Sequence, residues 1–408
     1  VVTPHADLDL AARDVAASAF GHAGQKCSAA SLVITVGSVS RSRRFSAQLA
    51  DAVLSLHVGT PTDPTVQMGP VIEPPGDKLA AGLTELGDGE TWLARPQQLD
   101  EEGHLFSPGV REGAREGSTF HRTEYFGPIL GIMHARTLAD AVRMQNGTDY
   151  GLTAGLHSLD EDEIAWWTQH VEAGNLYVNR GITGAIVQRQ PFGGWKRSSI
   201  GQTSKAGGPN YLVHLMDVSD PEADAPTWAA DARHSDREHM ATTFAPRDIQ
   251  DLHGEINVLR YLPLPVMIRA AEGTSAVELS RVLHAAATAA ATVELSVATR
   301  ELADAAEQEG VASQDIRIEG ASTFAARIDT LEHSRIRLLG AVDAPLREAI
   351  AARVEVALYD APVVSSGRVE LLTFLREQAI SATDHRYGNA LPEQLDLTGG
   401  LGWERGAP

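Results

Sequence analysis

The chain has 408 residues, enough for two or three domains with sizeable hydrophobic cores. Asp and Glu outnumber Lys and Arg by 54 to 34, and the resulting formal charge of −20 makes nucleic acid and anionic lipid poor partners. The single cysteine, Cys27, excludes an internal disulfide and a cysteine-based zinc site and fits a reducing cytoplasm, and no apolar run predicts a membrane span.

Helical and extended periods alternate along the first half of the chain. The chain begins at Val1 without a methionine, in residues that resemble the end of a strand, so we expect a fragment of a longer protein. A helical period over 7–20 leads into the loop that holds Cys27. Further helices are predicted at 40–56, 78–86, 137–145 and 161–170, and strands at 31–36, 91–93, 129–134, 153–157, 175–178 and 210–216.

The stretch 219–251 interrupts this alternation. It contains three prolines and many charged residues, which predicts a linker or a wrapping segment. The alternation then resumes, and the whole chain is predicted to have an α/β fold with parallel strands in two modules. In the second module we predict strands at 266–269, 293–297, 315–318, 335–339 and 354–358, and helices at 275–287, 301–309, 324–331, 345–352 and 368–376.

The loop 20–30 around Cys27 is built of small residues. Its glycines allow a ligand to approach the backbone closely, and N–H groups at a loop-to-helix junction stabilise a thiolate or an oxyanion. These features indicate a nucleophilic thiol, and the alternative is a buried, inert cysteine. Lys26 either favours the thiolate through its charge or points into solvent.

Two later stretches have the character of ligand-binding loops. The segment 124–128 carries an acidic and an aromatic residue before a Gly-Pro pair, although a plain turn has the same composition. The segment 179–198 is rich in glycine, and the consecutive N–H groups of Gly184 and Ala185 suit a carboxylate. The alternative for this segment is a connector between two elements.

Together, and in this order, the three stretches resemble those of the aldehyde dehydrogenases. Lys26 before Cys27 and Ser28 after it resemble the branch that oxidises L-glutamate γ-semialdehyde, the pyrroline-5-carboxylate dehydrogenases. The resemblance implies a mechanism in which the Cys27 thiolate attacks an aldehyde, a hydride passes to NAD, and water hydrolyses the resulting thioester.

The resemblance also assigns residues to the cofactor and the substrate. Glu124 is expected to hold the nicotinamide ribose and Phe126 to pack against the nicotinamide ring. In the family the general base and most contacts to NAD precede the thiol, so we assign no residue to them here. The residues assigned to the aldehyde substrate, including its α-carboxylate and its aliphatic stem, are Lys26, Ser28, Gly184, Ala185 and Phe192.

The resemblance extends into the second half of the chain. We predict an incomplete aldehyde dehydrogenase catalytic domain with an oligomerisation strand at 1–218 and a linker at 219–254. Residues 255–390 resemble the Rossmann-like C-terminal domain of the bifunctional proline utilisation A enzymes, and 391–408 are predicted to be a tail. Those enzymes also use FAD, in a proline dehydrogenase domain that this sequence lacks. We expect a homo-oligomer that acts on a small-molecule aldehyde.

Two other functions stay open, a non-catalytic assembly module that covers a tunnel and an aldehyde dehydrogenase with a different substrate. No metal site is predicted, because His234 and His239 in an acidic run are five residues apart, which is the wrong spacing for one helical face. A turn at 272–274 lacks the multi-glycine fingerprint of a cofactor site.

Overall fold

A computed structural model describes residues 1–248, 250–332, 334–342, 344–386, 389–390 and 397. The chain forms two compact units: unit 1 comprises Val1–Gln190, Asp248–Val258 and Ala379–Pro408, and unit 2 comprises Pro191–Arg247 and Leu259–Gln378. The domain boundaries expected at 218, 254 and 390 stay a prediction, and the expected tail lies outside the described residues except for Leu397.

Helices and strands alternate along the described chain. The helices are α1 (Leu8–Phe20), α2 (Arg43–Leu54), α3 (Asp77–Thr84), α4 (Thr119–Arg122), α5 (Leu138–Asn146), α6 (Glu161–His170), α7 (Ala225–Ala241), α8 (Ala276–Thr288), α9 (Arg300–Gln308), α10 (Ala321–Ala326), α11 (Ala344–Ala351) and α12 (Gly367–Glu370). The strands are β1 (Leu32–Val36), β2 (Thr91–Ala94), β3 (Gly109–Ala114), β4 (Ile129–Ala135), β5 (Tyr150–Gly151), β6 (Thr153–Leu156), β7 (Asn175–Val178), β8 (Trp195–Lys196), β9 (Arg247–Asp248), β10 (Glu255–Pro263), β11 (Val266–Ala270), β12 (Val293–Val297), β13 (Ile316–Ile318), β14 (Arg335–Leu339), β15 (Ala357–Tyr359), β16 (Leu375–Thr383), β17 (His385–Arg386) and β18 (Asn389–Ala390).

Unit 1 contains a four-stranded sheet in the order β1-β4-β3-β2. β4 pairs in parallel with β1 and β3, and β2 is antiparallel to β3. Apolar residues of α1 and α2, among them Phe20, Phe45 and Leu49, are buried in one core with residues of β1, β3 and β4. In a second sheet of unit 1, β7 pairs in parallel with β6 and with Ala379–Ala382 of β16.

Unit 2 contains a parallel sheet in the order β13-β12-β11-β14-β15. Numbered along the chain, this order is 3-2-1-4-5, which is the strand order of a Rossmann-type sheet. β10 is hydrogen-bonded to β16 in the sheet that also contains β6 and β7. The predicted α/β fold with parallel strands and a Rossmann-like second module is therefore confirmed.

Two predicted elements, a strand and a helix, are wrong, and a third segment contains a helix that was not predicted. The strand expected at 210–216 is a 3₁₀ helix, Tyr211–Leu215, whose N–H groups are bonded locally, from Val213 to the carbonyl of Asn210 for example. The expected linker contains the 17-residue helix α7, in which Pro226 occupies the first turn, where no helical N–H is needed. The expected helix at 368–376 is instead the end of α12, a 3₁₀ turn at Leu371–Thr373 and the start of β16.

Candidate active site

The loop that carries Cys27 follows directly from the end of α1. The carboxylate of Asp7 caps this helix by accepting a hydrogen bond from the N–H of Leu10 at 3.2 Å. After α1 the backbone turns through left-handed conformations at His22, Ala23 and Gly24. The thiol then lies in a turn and is exposed, so the alternative of a buried cysteine is wrong.

Gly24 fixes the distance between the thiol loop and the segment 124–128. Its φ is +68°, and a Cβ at this position would lie 2.7 Å from the carbonyl carbon of Gly127, far inside van der Waals contact. Only glycine allows the two backbones to approach this closely. The first and second of the predicted motifs are therefore packed together.

Gln25 links the same two segments by hydrogen bonds. Its Nε2 donates to the carbonyl oxygen of Phe126 at 3.2 Å, and its Oε1 accepts from the N–H of Ile72 at 2.8 Å. Phe126 itself has a φ of +56°, a backbone conformation that residues other than glycine adopt at a cost in strain. A narrow cleft is lined by Lys26, Glu124 and Phe126 among others, so these predicted residues do lie together.

Ser18 of α1 connects the thiol loop to the glycine-rich segment. This buried hydroxyl donates to the carbonyl of Asp14 at 2.6 Å and accepts from the N–H of Ile182 at 3.1 Å. The carbonyl oxygen of Ser18 accepts from the N–H of Ala30 at 3.0 Å. One residue thus holds both loops. Neither it nor Gln25 was predicted to contribute to the site, because each acts through a hydrogen bond to a distant backbone group.

The loop 181–189 leaves its small residues open. Gly184 has a φ of +82° and no heavy atom within 4 Å of the position of a Cβ. In the described part of the chain, the N–H groups of Gly184 and Ala185 have no acceptor. Consecutive unpaired N–H groups attract an anion. Ser28 is buried on the side of the thiol loop.

Tyr177 is a buried hydroxyl that the sequence did not single out. It lies in β7, is 1% exposed, and its Oη has no hydrogen-bond partner among the described residues. Burial raises the pKa of Tyr177 to about 12, while Arg180 lowers this pKa and the charge of Cys27 raises it. The phenol therefore stays protonated at neutral pH and remains a hydrogen-bond donor.

Phe192 lies in unit 2. Its N–H and carbonyl oxygen exchange hydrogen bonds with the carbonyl oxygen and N–H of Ala206, both at 2.9 Å.

The described residues contain no group of three His, Cys, Asp or Glu side chains that could hold a metal ion. In the same residues no helix is long and apolar enough to cross a membrane.

Comparisons with known proteins agree on one family. The family model described as "Aldehyde dehydrogenase family" matches residues 1–219. The 1-pyrroline-5-carboxylate dehydrogenase of Bacillus subtilis is 38% identical over 228 residues, which are 55% of this chain and 43% of that protein.

One solved structure is similar over more of the chain. Proline Utilization A from Corynebacterium freiburgense is 44% identical with a TM-score of 0.82, over 95% of this chain and 39% of that chain. A Thermus 1-pyrroline-5-carboxylate dehydrogenase with bound NAD is 34% identical with a TM-score of 0.47, over 52% of this chain and 40% of that chain. The chain spans less than half the length of each of these relatives. Because the family model covers more than half of it, the chain belongs to the aldehyde dehydrogenase family.

Proposed function

We propose that this chain supplies the thiol and the carboxylate-binding loop of an NAD-dependent L-glutamate γ-semialdehyde dehydrogenase, with Cys27 as the nucleophile. The observation that carries the proposal is the position of Ser18, whose hydroxyl and carbonyl oxygen bond to Ile182 and Ala30. An exposed thiol and an open loop of N–H groups are thereby anchored on the same helix. This is the arrangement that an aldehyde with a second, anionic group requires.

The chemistry uses the thiol as a covalent handle. The Cys27 sulfur forms a bond to the aldehyde carbon, and the electron pair of the carbonyl bond moves to oxygen. Backbone N–H groups of the loop, including that of Cys27, are suited to stabilise this oxyanion. With NAD bound as the hydride acceptor, loss of hydride from this carbon would leave a thioester on Cys27, and water would then release the acid and regenerate the thiolate. Lys26 would favour the thiolate by its charge.

Recognition of the substrate would depend on its α-carboxylate. The unpaired N–H groups of Gly184 and Ala185 and the hydroxyl of Ser28 would donate hydrogen bonds to this carboxylate, since neutral donors at a positive-φ turn bind anions without a counter-charge. Phe192 would flank the aliphatic stem of the substrate.

NAD fits the residues present at its nicotinamide end. Glu124 is exposed beside the cleft and would accept hydrogen bonds from the ribose hydroxyls, and Phe126 would pack against the ring. When bound, NAD supplies the hydride acceptor.

We also propose that the chain is part of a bifunctional proline-catabolic enzyme. Its 44% identity to Proline Utilization A over 95% of its own length supports this reading. In that case FAD would belong to a proline dehydrogenase part outside this chain. The catalytic domain would be 1–218 and the C-terminal domain 255–390, in a cytoplasmic homo-oligomer.

The test uses the fact that Cys27 is the only thiol. Iodoacetamide should alkylate it, and L-glutamate should slow this alkylation, whereas 4-aminobutyrate, which lacks the α-carboxylate, should not. Ser28→Ala should weaken the protection, and Ser55→Ala, at an exposed serine of the same unit, should not. Equal protection by both compounds would favour another aldehyde dehydrogenase.

Ester hydrolysis separates an enzyme from a non-catalytic module. The chain should hydrolyse p-nitrophenyl acetate without NAD, and Cys27→Ala should abolish this activity. If the wild-type chain and Cys27→Ala hydrolyse the ester equally, the nucleophile assignment is wrong and the assembly module is the better reading.

A further inference from the structure

A buried polar cluster lies behind the loop 181–189. It consists of Gln190, Asn257 and Ser381, and we call it the loop-anchor cluster. The three residues are 2%, 0% and 1% exposed, respectively. They come from distant parts of the sequence and all belong to unit 1. Buried polar side chains of this kind are stable only when their hydrogen bonds are made.

The hydrogen bonds of the cluster lead directly to the loop. The Oε1 of Gln190 accepts from the N–H of Ile186 at 2.8 Å. The Nε2 of Gln190 donates to the Oδ1 of Asn257 at 2.7 Å and to the Oγ of Ser381 at 3.1 Å. The side chain that holds Ile186, next to Ala185, is therefore itself held by Asn257 and Ser381.

Ser381 uses its whole hydrogen-bonding capacity. Its hydroxyl donates to the Oδ1 of Asn257 at 2.7 Å and accepts from Gln190 and from the Nη1 of Arg180, the latter at 2.7 Å. A serine hydroxyl offers one donor and two acceptor positions, so none is left over. Arg180 immediately precedes the loop, and the cluster therefore holds both ends of it.

Glu255 adds a negative charge beside the loop-anchor cluster. Its carboxylate lies 3.6 Å from Arg180, just before the loop, and 3.7 Å from Arg189, the last residue of the loop, and accepts from the Nδ2 of Asn257 at 3.2 Å. The strand pairing places Ser381 opposite Tyr177, so the backbone fixes its position independently of these side chains. The family match ends at residue 219, before Glu255, Asn257 and Ser381.

We propose that Asn257 and Ser381 are positioning residues that fix the loop 181–189 in the conformation that presents the N–H groups of Gly184 and Ala185 to the substrate carboxylate. The selectivity for a carboxylated aldehyde would then be set in part by residues outside the region that matches the family. The inference rests on the proposed function for the identity of the ligand, but not for the order of the loop.

The test compares Ser381→Ala and Asn257→Ala with Thr35→Val, which also removes a buried hydroxyl of unit 1 but lies in β1. The two cluster variants should bind L-glutamate about tenfold more weakly in the Cys27 alkylation assay, because a buried hydrogen bond is lost. Alkylation without ligand should keep its rate, and Thr35→Val should protect as well as the wild type. Unchanged protection in both cluster variants would overturn the proposal.

Amide hydrogen exchange of peptides covering 181–189 keeps the two proposals distinct. Ser381→Ala and Asn257→Ala should speed exchange in this segment by about tenfold, and Thr35→Val should not. If glutamate never protects the wild-type thiol but exchange still accelerates, the proposed function fails and the positioning role stands. If exchange in 181–189 is the same in all variants, or rises equally across unit 1, the positioning role is refuted. Either cluster variant alone suffices if the other does not fold.

Discussion

Gly24→Ala tests whether the thiol loop depends on close packing against the segment 124–128. Two costs add at this position. The φ of +68° costs a residue with a Cβ about 1–2 kcal/mol. The new methyl would also meet the carbonyl of Gly127, whose carbon would be 2.7 Å away, and a backbone group cannot rotate aside. Overpacking of this kind costs about 1–3 kcal/mol more, so we expect a loss of about 2–5 kcal/mol.

Gly37→Ala is the matched control, because it isolates the backbone cost. Gly37 lies in the same unit with a φ of +56°, and the nearest atom to a Cβ there would be the Cγ of Pro4 at an ordinary 3.5 Å. We expect a loss of only about 1–2 kcal/mol. The assay is the opening free energy of unit 1, from amide exchange in peptides of β1 and β4. Equal losses in the two variants would refute the packing argument.

Three further predictions follow from buried groups. Ser18→Ala should weaken protection of Cys27 by L-glutamate about tenfold, because the N–H of Ile182 loses its acceptor; Ser55→Ala serves as the control, and equal protection would contradict the role given to Ser18. His157 has its pKa lowered to about 3, chiefly by burial, so the unfolded chain binds a proton that the folded chain does not, and unit 1 should lose stability as the pH falls from about 6.5 towards 3. His157→Gln should make the free energy of unfolding, measured with urea, depend less on pH across that range. An unchanged pH dependence would show that this residue does not titrate as expected. Arg281→Ala should destabilise unit 2 by about 3–5 kcal/mol, because it leaves the carboxylate of Asp236, bonded at 2.8 and 2.9 Å, buried without its partner. Replacing both residues, as Arg281→Met with Asp236→Leu, should recover most of that loss in urea unfolding, and a double variant as unstable as the single one would refute the assignment.

Two elements could not be predicted because charges are buried in them. β3 contains Arg111, which is 2% exposed, donates to Glu90 at 2.9 Å and stacks on the ring of Phe120 at 4.2 Å. An arginine in a short segment normally indicates that the segment is exposed to solvent, so this strand was not predicted. The helix α7 was not predicted for the same reason, since its Asp236 is fully buried against an arginine of another helix. In both cases the partner lies too far along the chain for local spacing to reveal it.

The sequence by itself determined most of the elements and made Cys27 the candidate reactive group. Apolar periods fix most helices and strands because each must bury one face, and a single thiol among small residues indicates chemistry at Cys27. Only the tertiary structure decided which loops meet that thiol. Ser18 and Gln25 make the connections, to backbone groups 164 and 101 residues away, with side chains that occur in any loop or helix. A hydrogen bond to a backbone group leaves no residue-specific pattern in the partner, so folding alone reveals it.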